Sequence, residues 1–411
     1  MLTRRQMLYG ASTLGTGLAA GLALPRNAWA QGKLALDPSL PTGVRESAML
    51  EALPGKVKLI KLTHRPPNYE TPVSYFNELL TPNDAFFVRY HLANIPEVSA
   101  ASWRLKVGGE AAATSFELTL DQLKNDYKAY EVVAVNQCSG NRRGMFSPHV
   151  AGVEWGPGAM GNARWKGARL KDVLDKAGIK KEAVEIVFDG ADGPILDKTP
   201  DFVKSIPVWK AMDENVLVAY EMNGKPLPHF NGFPARVVVP GWTGTYWMKH
   251  VVSIMAETKP FSGFWMNPAY RVPVGKFPVV DRFLTQETAA NTPITEMVVN
   301  SLITNLADGH KSKPRQPIEV KGIAWDGGYG MAAVEVSIDG GANWSRAALG
   351  QDAGRFSFRQ WSFKFTPAKA GKVAVMVKAT NKIGQSQTPA LILNPAGYHH
   401  NVIQKITIDV A

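Results

Sequence analysis

The 411-residue sequence predicts an α+β protein in two parts, a mixed α/β region followed by a β-sandwich. Three observations carry this. Between about Asn83 and Met266, strand-like and helix-like runs interleave without the regular alternation of a doubly wound sheet. From about Pro293, strand patterns recur between turn signals with almost no helical period. Glycine and proline are frequent, at 37 and 28 residues, which favours turns and short strands.

Residues 1–30 read as a removable leader outside the fold. Arg4 and Arg5 open it, a mildly apolar run from Met7 to Leu24 follows, and Ala28-Trp29-Ala30 supplies small residues for cleavage. The adjacent arginines, and an apolar stretch diluted by Gly10, Gly15, Gly17 and Gly21, favour a twin-arginine export signal over a membrane anchor. That route carries folded chains to the periplasm, so it suits a protein loaded with cofactor before export. No later segment reaches the ~18 apolar residues that a helical span needs, so the mature chain is not expected to cross a membrane. Residues 31–80 are a proline-punctuated lead-in containing Arg65-Pro66-Pro67.

The mixed region, 81–290, has identifiable pieces. Glu131 to Val135 reads as a short buried strand ending just before Cys138. Leu170, Val173, Leu174 and Ala177 have helical spacing, closed by Gly178. Val184 to Phe188 is a strand, Asn223-Gly224 is the signal of a tight hairpin, and Arg236 to Pro240 is another β-branched run. Lys276 to Pro293 connects to the second part, 291–411. There Ile318 to Ile323, Ala333 to Ile338 and Phe356 to Phe365 alternate, Asp339-Gly340-Gly341 turns the chain, and Val373, Val375 and Val377 share one face. The expected form is an immunoglobulin-like sandwich without the usual bridge.

Charge and cysteine content narrow the function. The net charge is +11, and losing residues 1–30 removes Arg4, Arg5 and Arg26 but no acid, leaving +8. An exported basic protein rarely meets nucleic acid, so no nucleic-acid partner is expected. The balance suits a solvated surface, an anionic substrate or an acidic protein partner. One cysteine excludes an internal disulfide, and without Cys-x-x-Cys-His no c-type haem attaches to this chain.

Cys138 stands in Asn136-Gln137-Cys138-Ser139-Gly140-Asn141-Arg142-Arg143, where a strand ends and a polar, cationic loop begins. Guanidinium groups and hydrogen-bond donors favour a thiolate, the form that binds metals or acts as a nucleophile. A buried inert thiol would prefer apolar neighbours. Arg89 and His91, two apart in Phe87-Val88-Arg89-Tyr90-His91, share a face of an extended strand. With Arg142 or Arg143 they could make an oxyanion pocket, but taken alone a surface-facing Arg and a His satisfied by backbone is the better reading. Tyr220 to Pro228, Gly232 to Gly241 and Trp265 to Arg271 have no mechanism by spacing alone.

Together these segments resemble the sulfite oxidase family. The matching stretches are Phe87 to His91, Gln137 to Arg143, Gly152 to Trp155, Arg164 to Leu170, Tyr220 to Pro228, Gly232 to Gly241, and Ile323 to Trp325 with Val336 to Gly341. The likeness covers essentially the whole mature chain. Within the family it is greatest to bacterial periplasmic sulfite dehydrogenases, which have such a leader and lack the b-type haem domain of animal members.

The resemblance implies a molybdopterin-binding domain whose molybdenum is held by the pterin dithiolene, by oxo groups and by the sulfur of Cys138. Carried over by position, Phe87, Val88, Arg89, Tyr90, His91, Asp189, Asn231, Arg236, Trp247, Met248 and Lys249 hold the cofactor. Arg89, Arg143, Trp155 and Tyr270 line the anion pocket. Asn231 stands where animal relatives have His. Many relatives also bring a basic residue from the second domain, and the loop Asp326 to Gly330 offers none here. The implied reaction oxidises sulfite to sulfate and passes electrons singly to a c-type cytochrome. Rival readings are a sulfur-oxidation complex subunit, a periplasmic sulfoxide reductase, and a non-catalytic exported binding protein.

Overall fold

A computed structural model describes residues 49–275 and 291–411, so the expected leader 1–30 and most of the 276–293 connection lie outside the described residues. The described part of the lead-in starts at Met49. From Met49 it builds a four-stranded antiparallel sheet of Met49–Ala52, Lys58–Thr63, Asn68–Glu70 and Val88–Arg89. Pro66 and Pro67 sit in the turn between Lys58–Thr63 and Asn68–Glu70. Leu59, Tyr69, Val88 and Tyr90 close a small core beneath this sheet, which delivers Arg89 to the site.

Two further sheets make the mixed region. One runs in the order Lys204–Pro207, Glu185–Gly190, Val251–Glu257, Leu105–Gly108, Phe116–Leu118, with a single parallel pair between Val251–Glu257 and Leu105–Gly108. The other pairs Ala129–Gln137 with Met160–Arg169, then Leu217–Met222, which also takes Arg236–Val238. Helix is scarce and short. Leu120–Asn125 forms behind a capping box of Thr119 and Gln122. Leu170–Ala177 buries the four apolar positions that its spacing picked out, and Gly178 ends it in the left-handed region at φ 66°. Elsewhere proline- and glycine-rich connections fold as single 3₁₀ turns, where longer helices cannot propagate.

The second part is two sheets facing across one core. Asn300–Ile303, Ile318–Trp325, Arg359–Phe365 and Ala348–Leu349 make one; His310–Ser312, Gln404–Val410, Gly371–Asn381, Met331–Ser337 and Ser345–Arg346 make the other. Val320 and Trp361 from the first meet Val336, Val377 and Ile408 from the second.

Both described parts belong to one compact unit. A shared cluster joins Phe76, Val135 and Met160 to Leu302, Ile323, Trp325 and Phe358. Arg142 is the polar latch. Its guanidinium donates to Asn300 Oδ1 and to the Ser301 carbonyl, both at 2.7 Å, and its backbone is left-handed at φ 67°. Trp325 Nε1 donates to Gln137 Oε1 at 2.5 Å.

Candidate active site

The strand Ala129–Gln137 stops one residue before Cys138, whose amide donates to Ala159 O at 2.9 Å. Asn141 then accepts from the Ala159 amide and fixes the loop. The thiol keeps 7% exposure, opening into a cavity of about 630 Å³ of empty space, within the range of small-molecule sites. Eleven of the residues assigned from sequence line it: Phe87, Arg89, Tyr90, His91, Cys138, Asn231, Arg236, Trp247, Met248, Lys249 and Tyr270.

The remaining four stand back from the lining. Val88 is in the core under the first sheet. Trp155 is fully buried edge-on to Phe87, at 6.4 Å between ring centroids, and so supports the lining from behind. Arg143 is held by the second part of the chain, where its Nε donates to Ala396 O at 2.8 Å and its guanidinium lies over Tyr398. Asp189 is on the strand Glu185–Gly190, half-buried, with burial pushing its carboxyl up to about 6. The acid that reaches the cavity is Asp192, because the chain turns after Gly190.

One wall is a finished network. The Tyr270 hydroxyl meets His91 Nε2. The His91 ring stacks on Phe202 at 3.6 Å between centroids, inclined by 11°. Arg89 donates to the Tyr90 carbonyl and to Asn68 Oδ1. Burial, then the nearby Arg89, Lys249 and Lys204 charges, holds His91 neutral well below its ordinary value. Burial raises the Tyr270 phenol, and Arg89 opposes this. Tyr270 itself is left-handed at φ 61°, an uncommon conformation for a bulky side chain. Its ring stacks on Tyr398 at 5.5 Å, inclined by 11°.

The second part therefore does reach the site, by a segment other than the one its sequence suggested. Asp326 to Gly330 folds back on itself through Asp326 Oδ1, and Tyr329 donates to Glu296. It is Asn394 to Tyr398 that touches Arg143 and Tyr270. Gly397, left-handed at φ 62°, permits this approach, because a Cβ there would sit 2.8 Å from Arg143 Cγ.

The opposite wall is unfinished. Asn136 Oδ1, Ser139 Oγ, Thr245 Oγ1, Arg236 Nε and Lys249 Nζ are buried without a hydrogen-bond partner, and all five residues line the cavity. Such atoms each cost about 1–3 kcal/mol unless something satisfies them. Lys249 is fully buried over the Tyr90 ring. Burial pushes Lys249 down and Asp192 up, while their mutual attraction opposes both shifts. Arg236 donates to Asn231 O and Trp247 O, leaving Nε to face inward. Asn231 is committed to Lys56 Nζ at 2.5 Å and to Phe87 O at 3.1 Å, so it braces the wall. Hydroxyl, guanidinium and ammonium donors beside one soft sulfur fit a polar, anionic group carrying a thiophilic metal.

Comparison with known proteins agrees with this chemistry. Residues 91–265 match the family profile described as an oxidoreductase molybdopterin binding domain, and 291–411 that of a Mo-co oxidoreductase dimerisation domain. The sulfite oxidase of Arabidopsis thaliana is 33% identical over 328 residues, covering 76% of this chain and 81% of the plant protein.

The chain belongs to the sulfite oxidase family.

The Gallus gallus sulfite oxidase is 36% identical over 336 residues, covering 78% of this chain and 70% of that protein. The human mitochondrial sulfite oxidase is 36% identical over 364 residues, covering 85% of this chain, and the chain spans 65% of that relative's length. The sulfane dehydrogenase SoxCD from Paracoccus pantotrophus shares the fold, with a TM-score of 0.71 at 24% identity, covering 85% of this chain and 88% of that one. The match to a molybdopterin-binding oxidoreductase domain indicates a molybdenum cofactor.

Several lining residues had no local signal in sequence. Asp192, Phe202, Phe230 and Thr245 each sit in an ordinary loop or turn and reach the site through long-range folding. Lys56, the partner of Asn231, lies in the stretch read as a lead-in.

Proposed function

We propose that the chain oxidises sulfite to sulfate at a molybdenum centre ligated by Cys138, and passes electrons singly to a c-type cytochrome in the periplasm. The observation that carries this reading is that the sole thiol lines one cavity together with buried polar groups lacking partners and with Arg89, His91 and Tyr270.

When bound, the cofactor supplies oxo transfer and accepts two electrons. The chain's own residues hold the anion and a proton. Arg89, with Arg143 behind it, offsets the negative charge of sulfite. A neutral His91 whose Nε2–H donates to the Tyr270 oxygen leaves the phenol O–H free to donate to the substrate. Trp155 and Phe87 keep water from the cofactor side. Ser139, Thr245, Arg236 and Lys249 would hold the pterin and its phosphate.

A hollow lined by Asn267 to Pro273, Asn291, Pro395, Ala396 and Tyr398 adjoins the pocket at Tyr270. Phe264, Val274 and Leu393, exposed in the same segments, suit a cytochrome docking there. Two facing sheets without a bridge support the immunoglobulin-like reading of the second part, and the paired arginines at 4 and 5 support twin-arginine export.

Metal analysis with sulfite-dependent reduction of cytochrome c, measured against ferricyanide, tests the proposal. Near-stoichiometric molybdenum with sulfite turnover supports it. Loaded protein that turns over only other sulfur substrates would assign a different member activity.

A further inference from the structure

Lys204 is the first residue of the edge strand Lys204–Pro207, and no matched motif includes it. Its side chain is completely buried, an expensive place for an ammonium. Nζ donates to the Trp265 carbonyl at 2.6 Å and lies between two aromatic faces, 4.7 Å from the Tyr246 ring centroid and 4.9 Å from that of Tyr270.

The surroundings explain what this contact does. Trp265 returns a bond to the same strand approach, its indole N–H donating to Pro200 O at 3.3 Å. Phe202, two residues before Lys204, packs edge-on to Trp265 at 5.5 Å and face-on to His91. Residues 200–204 and 265–270 are thus braced together beside His91. The braced segment ends at Tyr270, whose left-handed backbone needs tertiary contacts to persist.

We propose that Lys204 is a positioning residue for the anion pocket. By holding the Trp265 carbonyl and backing the Tyr270 ring, it fixes the Tyr270 hydroxyl on His91. A hydrophobic side chain of similar length would fill the space at less cost to stability, so retention of a buried amine here trades stability for geometry. The inference rests on the sulfite reading for its substrate, though not for its contacts.

The test is Lys204→Met in the full, molybdenum-loaded protein. Tm and molybdenum content should be unchanged or higher. KM for sulfite should rise about tenfold while kcat falls less than about threefold, the pattern of a misplaced binding group. The stabilisation of the loaded protein by added sulfate, read as a Tm increment, should shrink in parallel. Lys204→Gln retains a donor one methylene short and should recover part of both effects; it also serves if the Met variant does not fold. A Met variant with parental KM and parental sulfate response overturns the assignment, as does a loss wholly accounted for by lower Tm or lost metal. If the parent protein itself fails to oxidise sulfite, the sulfite reading falls, and the sulfate-dependent Tm increment alone decides the role of Lys204.

Discussion

The two walls of the cavity solve opposite problems. Around Arg89, His91 and Tyr270 the polar atoms have bound one another, so the geometry exists before any ligand arrives. Around Ser139, Thr245, Arg236 and Lys249 the donors are buried and unmatched. On the proposed reading, the first wall is preorganised for a small anion that comes and goes. The second bears a standing cost that a large, permanent, polar group removes on binding. If the chain is exported folded, as proposed, it can tolerate that cost provided the group is loaded early.

This contrast can be broken experimentally, beginning where the effect is greatest. Cys138→Ser should lower kcat by more than about 1,000-fold, since a neutral hydroxyl replaces the thiolate that soft metals require. Steady-state turnover with metal analysis checks it, and retained activity would remove Cys138 from the metal. Arg89→Met should raise KM for sulfite by roughly 10–100-fold, the scale of a charge-assisted hydrogen bond. An unchanged KM would move the anion elsewhere.

Smaller changes sharpen the difference between the walls themselves. In protein free of cofactor, Tyr270→Phe breaks a made bond and should cost about 1 kcal/mol. Ser139→Ala deletes an unmatched hydroxyl and should be neutral or stabilising by up to ~1 kcal/mol. In loaded protein the order reverses for cofactor retention, with Ser139→Ala the more damaging. Denaturant melts of both forms distinguish the cases, and equal behaviour of the two variants would erase the contrast.

The smallest effect depends on pH. Burial, reinforced by Asp201, raises the Asp189 carboxyl to about 6 in the folded protein, from 3.8. A raised carboxyl favours folding below about pH 4, and that advantage is lost as the pH rises through about 6. Asp189→Asn should therefore leave Tm unchanged near pH 4 and raise it at pH 7–8 by about 1 kcal/mol equivalent, discounted for partial exposure. A Tm difference that does not vary with pH would contradict the assignment.

Sequence patterns made the local pieces legible. The strand running into Cys138, the helix Leu170–Ala177 with its glycine stop, and the facing strands of the second part all follow from periodicity and turn chemistry. Cys138 is legible from its polar, cationic loop, and Arg89 and His91 from sharing one strand face; the other lining residues come from resemblance, since nothing in their spacing separates Arg236 or Trp247 from scaffold. What was illegible is what long-range packing decides. Asp189 and Asp192 look alike in sequence, and only the turn after Gly190 selects the second for the cavity. No strand pattern stands out in 49–63, where the strands are short and partners such as Asn68–Glu70 lie across a proline turn. Tyr398 gave no signal because its meaning depends on a Tyr270 more than a hundred residues earlier.

Arg142 connects these observations in a further way. It is four residues from the thiol and next to Arg143, yet both of its outer nitrogens are spent on Asn300 and Ser301. The loop that presents the sulfur is thus hung from the opposite half of the chain. Loosening that suspension, by Arg142→Leu or by separating the halves, should reach the thiol before it reaches Arg89, His91 or Tyr270. The C-terminal half is in this sense a part of the thiol's mounting.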